Sequence, residues 1–180
     1  MAGPAVVQTP RLTLRPVQES DAPALREIWL DFAQSPFAVY DGPHPTSPRA
    51  VAASIARWAQ ANRQPQPAHR FWAVCLQGRL IGYFSCHQRE NAACEIGYCF
   101  HSAFHGRGYA RESLCALLAF LPTQGFARAT AGTALNNRPS VALLASLGFT
   151  QTATESVSFY QDSAGNPIVF TGGVFEKPLP

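Results

Sequence analysis

The stretch from Phe104 to Glu112 reads FHGRGYARE and gathers the residue types from which an anion seat is built. Gly106 and Gly108 can adopt backbone angles closed to other residues and leave no side chain between the main chain and a ligand. A β-rich run ends near Phe100 and an apolar-periodic helix begins near Tyr109, so these amides stand at a helix N-terminus. Several N–H groups there have no partner within the helix, and the helix dipole is positive. A pyrophosphate is the guest that such a turn suits. Arg107, and Arg111 one turn further on, add full positive charges. Two other phosphate motifs are excluded. A P-loop requires a lysine after its second glycine, and the chain's one lysine is Lys177. A dinucleotide fingerprint requires a third glycine three positions beyond Gly108, where Arg111 stands.

Metal and triad chemistry find less support. Cys99, His101 and His105 are ligand types, but no fourth ligand lies at a sensible spacing, and no metal is expected. Nor does the separation of Ser, His and Asp suggest a hydrolytic triad.

The elements that must carry the glycine loop follow from periodicity. Residues 11–17 alternate as a strand closed by Pro16. Ser20 or Asp21 caps a helix whose inner face is Leu25, Ile28, Trp29 and Phe32. A proline-rich loop, 35–48, leads to a second helix begun by Ser47 and Pro48 and buried through Val51, Ile55, Trp58 and Ala59. Residues 71–76, 80–87 and 94–100 read as an antiparallel meander. Leu114, Leu117, Leu118 and Leu121 line one face of the helix behind the loop. A strand at 126–134, a short helix at 140–147 and two strands at 149–160 and 168–176 complete the chain. The order predicts an α/β layer with a mixed, mostly antiparallel sheet of about seven strands and helices on both faces.

Composition narrows the class. The chain has 180 residues, 47% hydrophobic and 14% charged, which suits a single domain, 1–180, with one sizeable core. A net charge of +3 without clustering does not imply nucleic acid. The longest apolar run, 114–121, is too short to cross a bilayer, so no membrane association is expected. Five cysteines, Cys75, Cys86, Cys94, Cys99 and Cys115, form no C-x-x-C pair and read as reduced core residues of a cytoplasmic protein.

With these elements in place, HGRGYA resembles the Q/R-x-x-G-x-G/A signature of the GNAT superfamily of N-acetyltransferases, His105 standing at the first position. The longer string CEIGYCFHSAFHGRGYARESL is similar to the RimJ/RimL-like, ribosomal-protein-alanine branch. TPRLTLRPVQESDA resembles that branch's opening strand and helix. NNRPSVALLASLGF resembles its N-x-x-S segment, on Asn137, Ser140, Leu144, Gly148 and Phe149. The resemblance spans essentially the whole chain and implies the GNAT fold.

It also implies acetyl-CoA as cosubstrate and direct transfer of its acetyl group to a primary amine. The acceptor would be a protein or peptide N-terminal α-amine, or a small-molecule amine. Tyr98 and Phe100 would offer backbone groups to the pantetheine arm. His105, Gly106, Arg107, Gly108, Tyr109, Ala110 and Arg111 would form the pyrophosphate seat, and Asn137 would reach the pantetheine or thioester. The reaction needs a base for the amine and donors for the oxyanion. Glu95 is the leading base, its other reading being a strand carboxylate on the solvated face or paired with an arginine; His101 and His105 are alternatives, and water-relayed groups are also open. Ser140 is either the donor to the leaving sulfur or only the cap of the short helix, because Leu144 stands where many relatives carry a tyrosine. A non-catalytic acyl-CoA-binding module is the other function compatible with these residues. The variable loops 35–48 and 62–69 and the final hairpin would shape the acceptor pocket, with Phe37, Tyr40 and Trp72 as candidate walls, although core packing is the expected place of Trp72. Both a monomer and a homodimer suit the family.

Overall fold

Leu12 and Leu14 are buried while Thr13 and Arg15, which alternate with them, are not, and this alternation makes β2 (Leu12–Pro16) a strand with one face in the core. The computed structural model describes residues 5–180. In chain order the elements are β1 (Val7–Gln8), β2, α1 (Ala22–Ala33), α2 (Pro48–Asn62), β3 (His69–Leu76), β4 (Arg79–Arg89) and β5 (Ala93–Phe100). Then follow α3 (Tyr109–Phe120), β6 (Arg128–Ala134), α4 (Arg138–Ser146), β7 (Thr150–Gln161) and β8 (Pro167–Pro178). The described strands form one eight-stranded sheet in the order β1-β2-β3-β4-β5-β6-β8-β7. The strand beyond the expected seven is β1, a two-residue segment pairing Val7 with Leu14 and Gln8 with Thr13. Two residues are too few to show a period of two, so periodicity passed over it.

The sheet is covered on both faces. Leu25, Ile28 and Trp29 of α1 and Val51 and Ile55 of α2 pack on one side with Phe71, Ala73 and Cys75. Leu114, Leu117 and Leu118 of α3 and Leu144 of α4 pack on the other with Trp72, Phe84 and Ile96. Apolar faces at i, i+3, i+4 spacing account for each helix. Ser47 accepts a hydrogen bond from the Ala50 amide at 3.3 Å, and Pro48 follows it, so the predicted start of α2 is the observed one. Trp72 is wholly buried in the core, its expected place, and walls no pocket.

Two cysteines depart from expectation. Cys86 on β4 and Cys94 on β5 are joined as a disulfide, with Cα atoms 5.8 Å apart, whereas the sequence pattern predicts five reduced cysteines. Pairing Cys86 with Ile96 and Gln88 with Cys94 sets the two cysteines diagonally across the strand pair. Only the register brings them together. Cys75, Cys99 and Cys115 are free.

One strand pairing positions everything that follows. All neighbouring strands are antiparallel except β5 and β6, which are parallel and paired only at Ala93–Arg128, Cys94–Ala129 and Glu95–Thr130. Beyond Glu95 the two strands part. Phe100 closes β5 with its ring lying over Gly82 of β4. A Cβ built at Gly82 falls 2.7 Å from two Phe100 ring atoms. Gly82→Ala should therefore displace the ring and destabilise the fold by about 1–3 kcal/mol, as overpacking does. Urea unfolding measures this, and an unchanged midpoint would show that the ring is free to move.

Candidate active site

The glycine loop folds as its residue types require. Gly106 and Gly108 have φ of +72° and +78°, and Gly108 is the N-cap of α3. Glu112 is the first residue of the helix to donate, to the Gly108 carbonyl at 2.9 Å. Before it, the amides of Gly106 to Arg111 have no acceptor among the described hydrogen bonds. This is a row of orphaned donors at the positive end of a helix dipole.

The loop is clamped from the N-terminal side of the chain. Glu112 accepts from the Thr9 hydroxyl at 2.6 Å, the Arg11 amide at 3.0 Å and Arg11 Nε at 2.6 Å. Arg11 Nη1 in turn donates to the Arg107 carbonyl at 3.1 Å, and its guanidinium lies 4.6 Å from the Tyr109 ring centre. Partial burial pushes the Glu112 carboxyl up, but the bonds from Thr9 and Arg11 outweigh it and hold the group below its ordinary value. Arg11 and Thr9 were not singled out from sequence. About a hundred residues separate them from the loop in the chain, and no local pattern joins them.

A cavity of about 490 Å³ opens in front of the loop. His105, Gly106, Gly108, Tyr109, Ala110 and Arg111 line one side, with Tyr98, Cys99 and Phe100 at the end of β5. Asn137 and Ser140 at the start of α4, and Phe32 and Phe37 from α1 and the loop after it, complete the wall. Arg107 is not among the residues lining it, and its carbonyl is engaged by Arg11.

The parting of β5 and β6 frees backbone groups at the cavity. The His101 amide donates to Ile81 at 3.0 Å, and Cys99 is registered with Tyr83. Because backbone groups alternate direction along a strand, Cys99 and Gly97 turn theirs to β4. Tyr98 and Phe100 turn theirs toward the gap. His105 Nε2 lies 2.8 Å from the Phe100 carbonyl, which can only accept, so Nε2 carries a proton and that carbonyl is already engaged.

The hydroxyls of Tyr98 and Ser140 meet at 2.8 Å inside the cavity. Burial raises the Tyr98 phenol to about 12, although its bond to Ser140 acts in the opposite sense. Asn137, not Ser140, caps α4: its side-chain oxygen accepts from the Ser140 amide at 3.3 Å. Ser140 sits inside the first turn, and its hydroxyl is committed to Tyr98 rather than to a cap.

Glu95 lies elsewhere. It occupies the part of β5 still paired with β6, it is ion-paired with Arg89, and it does not line the cavity. His101 accepts from the Ala103 amide through Nδ1 at 3.2 Å and is also outside the lining. Neighbouring Ser102 is pinned to Asp31 of α1 by two bonds of 2.7 and 2.6 Å, which ties the end of β5 to α1. Among the described residues no cluster of three metal-ligating side chains occurs, and no helix is long and apolar enough to cross a membrane.

Comparison with known proteins adds a family to this geometry. The profile of the acetyltransferase (GNAT) domain matches residues 11–150. A Salmonella typhimurium acetyltransferase that modifies the N-terminal serine of ribosomal protein L7/L12 superposes with a TM-score of 0.83 at 19% identity, over 98% of this chain and 100% of that one. Ribosomal-protein-S5-alanine acetyltransferase from Vibrio fischeri gives 0.81 at 16% identity, over 98% and 97%. Mycobacterium smegmatis RimJ in complex with CoA-disulfide gives 0.82 at 20% identity, over 99% and 90%. A search of curated protein sequences found no significant match.

The Glu112 clamp makes a pH-dependent contribution. A carboxylate held below its unfolded value stabilises the fold fully above that value and loses the effect as pH falls through the folded one. With an ordinary value of 4.5, the stability gap between wild type and Glu112→Gln should be constant above about pH 5 and shrink below about pH 4. Denaturant titrations at stepped pH measure the gap, and one that stays constant into acid removes the clamp's electrostatic part.

Proposed function

The chain belongs to the GNAT acetyltransferase family, and from that membership we propose that the cavity before the glycine loop is where acetyl-CoA and an amine meet. The protein is an acetyl-CoA-dependent N-acetyltransferase. The single observation that carries the site is the convergence, in one cavity, of the orphaned amides of 106–111 and the strand edge left free at Tyr98 and at the Phe100 amide.

The residues present fit the cosubstrate. A pyrophosphate needs several donors and positive charge, and the loop amides with Arg111 supply both. A pantetheine arm carries amides that pair as a strand does, and the free edge of β5 offers the complementary groups. Acetyl-CoA, when bound, supplies its acyl group as a thioester whose carbonyl carbon is open to an amine. The side chains of Tyr98 and Ser140 then serve as donors. One hydroxyl donates to the other, which leaves one O–H to direct at developing negative charge. Since an ordinary thiol titrates near 8.5 and Tyr98 near 12, Tyr98 holds its proton against a thiolate. It stabilises by hydrogen bonding rather than by proton transfer. Asn137, whose oxygen is committed to the cap, keeps its amide N–H groups for the same cavity.

For the acceptor, the likeness to enzymes of ribosomal protein N-termini supports a protein or peptide α-amine over a small-molecule amine. The chain acts as one acetyltransferase domain in this reading.

Three measurements test it. Wild-type protein with acetyl-CoA and short peptides bearing free N-termini should release CoA, and silence across a broad panel would count against the peptide acceptor. Gly108→Trp, which forces a bulky side chain onto a positive-φ position beside Arg11, should fold yet lose CoA binding by calorimetry. Undiminished binding would remove the loop assignment. Tyr98→Phe should lower kcat about 10- to 100-fold with little change in the KM for acetyl-CoA, as loss of one preorganised donor does.

A further inference from the structure

Among the described residues the main cavity's lining includes no carboxylate; its one imidazole is His105, whose Nε2 donates to the Phe100 carbonyl at the end of β5. A second cavity of about 390 Å³ adjoins it, between α1, the loop of residues 34–47 and the β7–β8 hairpin. Phe32 lines both, so the two cavities share a wall. Trp29, Val39, Tyr160 and Ile168 give the second cavity an apolar surface, and His44 is the imidazole on it.

His44 is held as a base must be. Its ring stacks on Trp29 with centres 5.0 Å apart and planes within 1° of parallel, and the Phe32 ring lies 6.2 Å away, edge-on. Trp29 is itself fixed by donating to the Tyr83 hydroxyl at 3.1 Å. His44 Nε2 is 3.3 Å from Asp41 Oδ2. A carboxylate accepts only, so Nε2 bears the proton and Nδ1 keeps the free lone pair. Asp41 is anchored by the Gly42 amide, 2.8 Å from its other oxygen. A base oriented by a carboxylate is the arrangement that proton abstraction asks for. The Phe32 ring packed beside His44 is also part of the main cavity's wall.

We propose that the second cavity seats the acceptor and that His44, oriented by Asp41, takes the proton of its amine. The acceptor it suits is a primary amine carried beside an apolar or aromatic group, such as the α-amine of a chain beginning with leucine or phenylalanine. In the step, the nitrogen lone pair forms the C–N bond to the thioester carbon, and the C–S bond breaks with its electron pair going to sulfur. The proton leaves nitrogen for His44 Nδ1, directly or through one water. The inference rests on the acetyl-transfer reading of the main cavity.

The test uses the full chain, acetyl-CoA and two tetrapeptides that differ only in a first residue of leucine or aspartate. Wild type should acetylate the leucine peptide faster. His44→Ala should lose about 100-fold in kcat, with acetyl-CoA binding by calorimetry and the thermal midpoint unchanged. Added imidazole, entering the slot left on the Trp29 face, should restore part of the rate. Asp41→Asn should lower kcat more than it raises the peptide KM. A His44→Ala rate equal to wild type, or a loss that imidazole leaves untouched, overturns the base; preference for the aspartate peptide overturns the apolar seat. Absence of CoA binding by wild type would instead sink the acetyl-transfer reading beneath both.

Discussion

The structure depends on a sheet that stops pairing in its middle. β5 and β6 share three residue pairs and then separate, although an interior strand edge with unpaired N–H and C=O groups is costly to leave dry. α3 starts at the mouth of the gap with unpaired amides of its own, Asn137 and Ser140 at the start of α4 line the cavity there, and α1 pins the end of β5 through Asp31 and Ser102. What remains unsatisfied is a strand edge leading to an anion seat, complementary to a ligand with an amide-bearing arm and a phosphate end.

A seat of this kind acts best when it needs no reorganisation. The clamp formed by Thr9, Arg11 and Glu112 supplies that rigidity. It explains why a two-residue strand and the turn after it belong to the working part of the protein. Glu112 also gains from its place in the first turn of α3, where a negative charge meets the positive helix end. The same carboxylate thus holds the loop's shape and orients the cation beside it.

Much of the fold was legible because its signals are local. The apolar faces of α1, α2 and α3, the Ser47–Pro48 start and the meander of β3, β4 and β5 all follow from period and capping. The sequence left a choice open where a role depends on how far two strands remain paired. Glu95 belongs to the run that leads to the cavity, but it sits on the last paired residue of β5, below the gap, beside Arg89. Ser140 and Asn137 both fit a cap by residue type. Only the helix start decides that Asn137 fills it and that Ser140 turns to Tyr98, 42 positions away in the chain.

By itself the sequence determined the glycine turn before a helix, the layer order and, through motif resemblance, the acyl donor. These rest on backbone conformations and hydrogen-bonding needs that a few neighbouring residues dictate. The tertiary structure alone decided the parting of β5 and β6, the Arg11–Glu112 clamp, the Tyr98–Ser140 pair, the Cys86–Cys94 bridge and the stacking of His44 on Trp29. Each joins side chains or strands whose encounter is set by register and layer packing, and those follow from the burial of the whole core rather than from any local pattern.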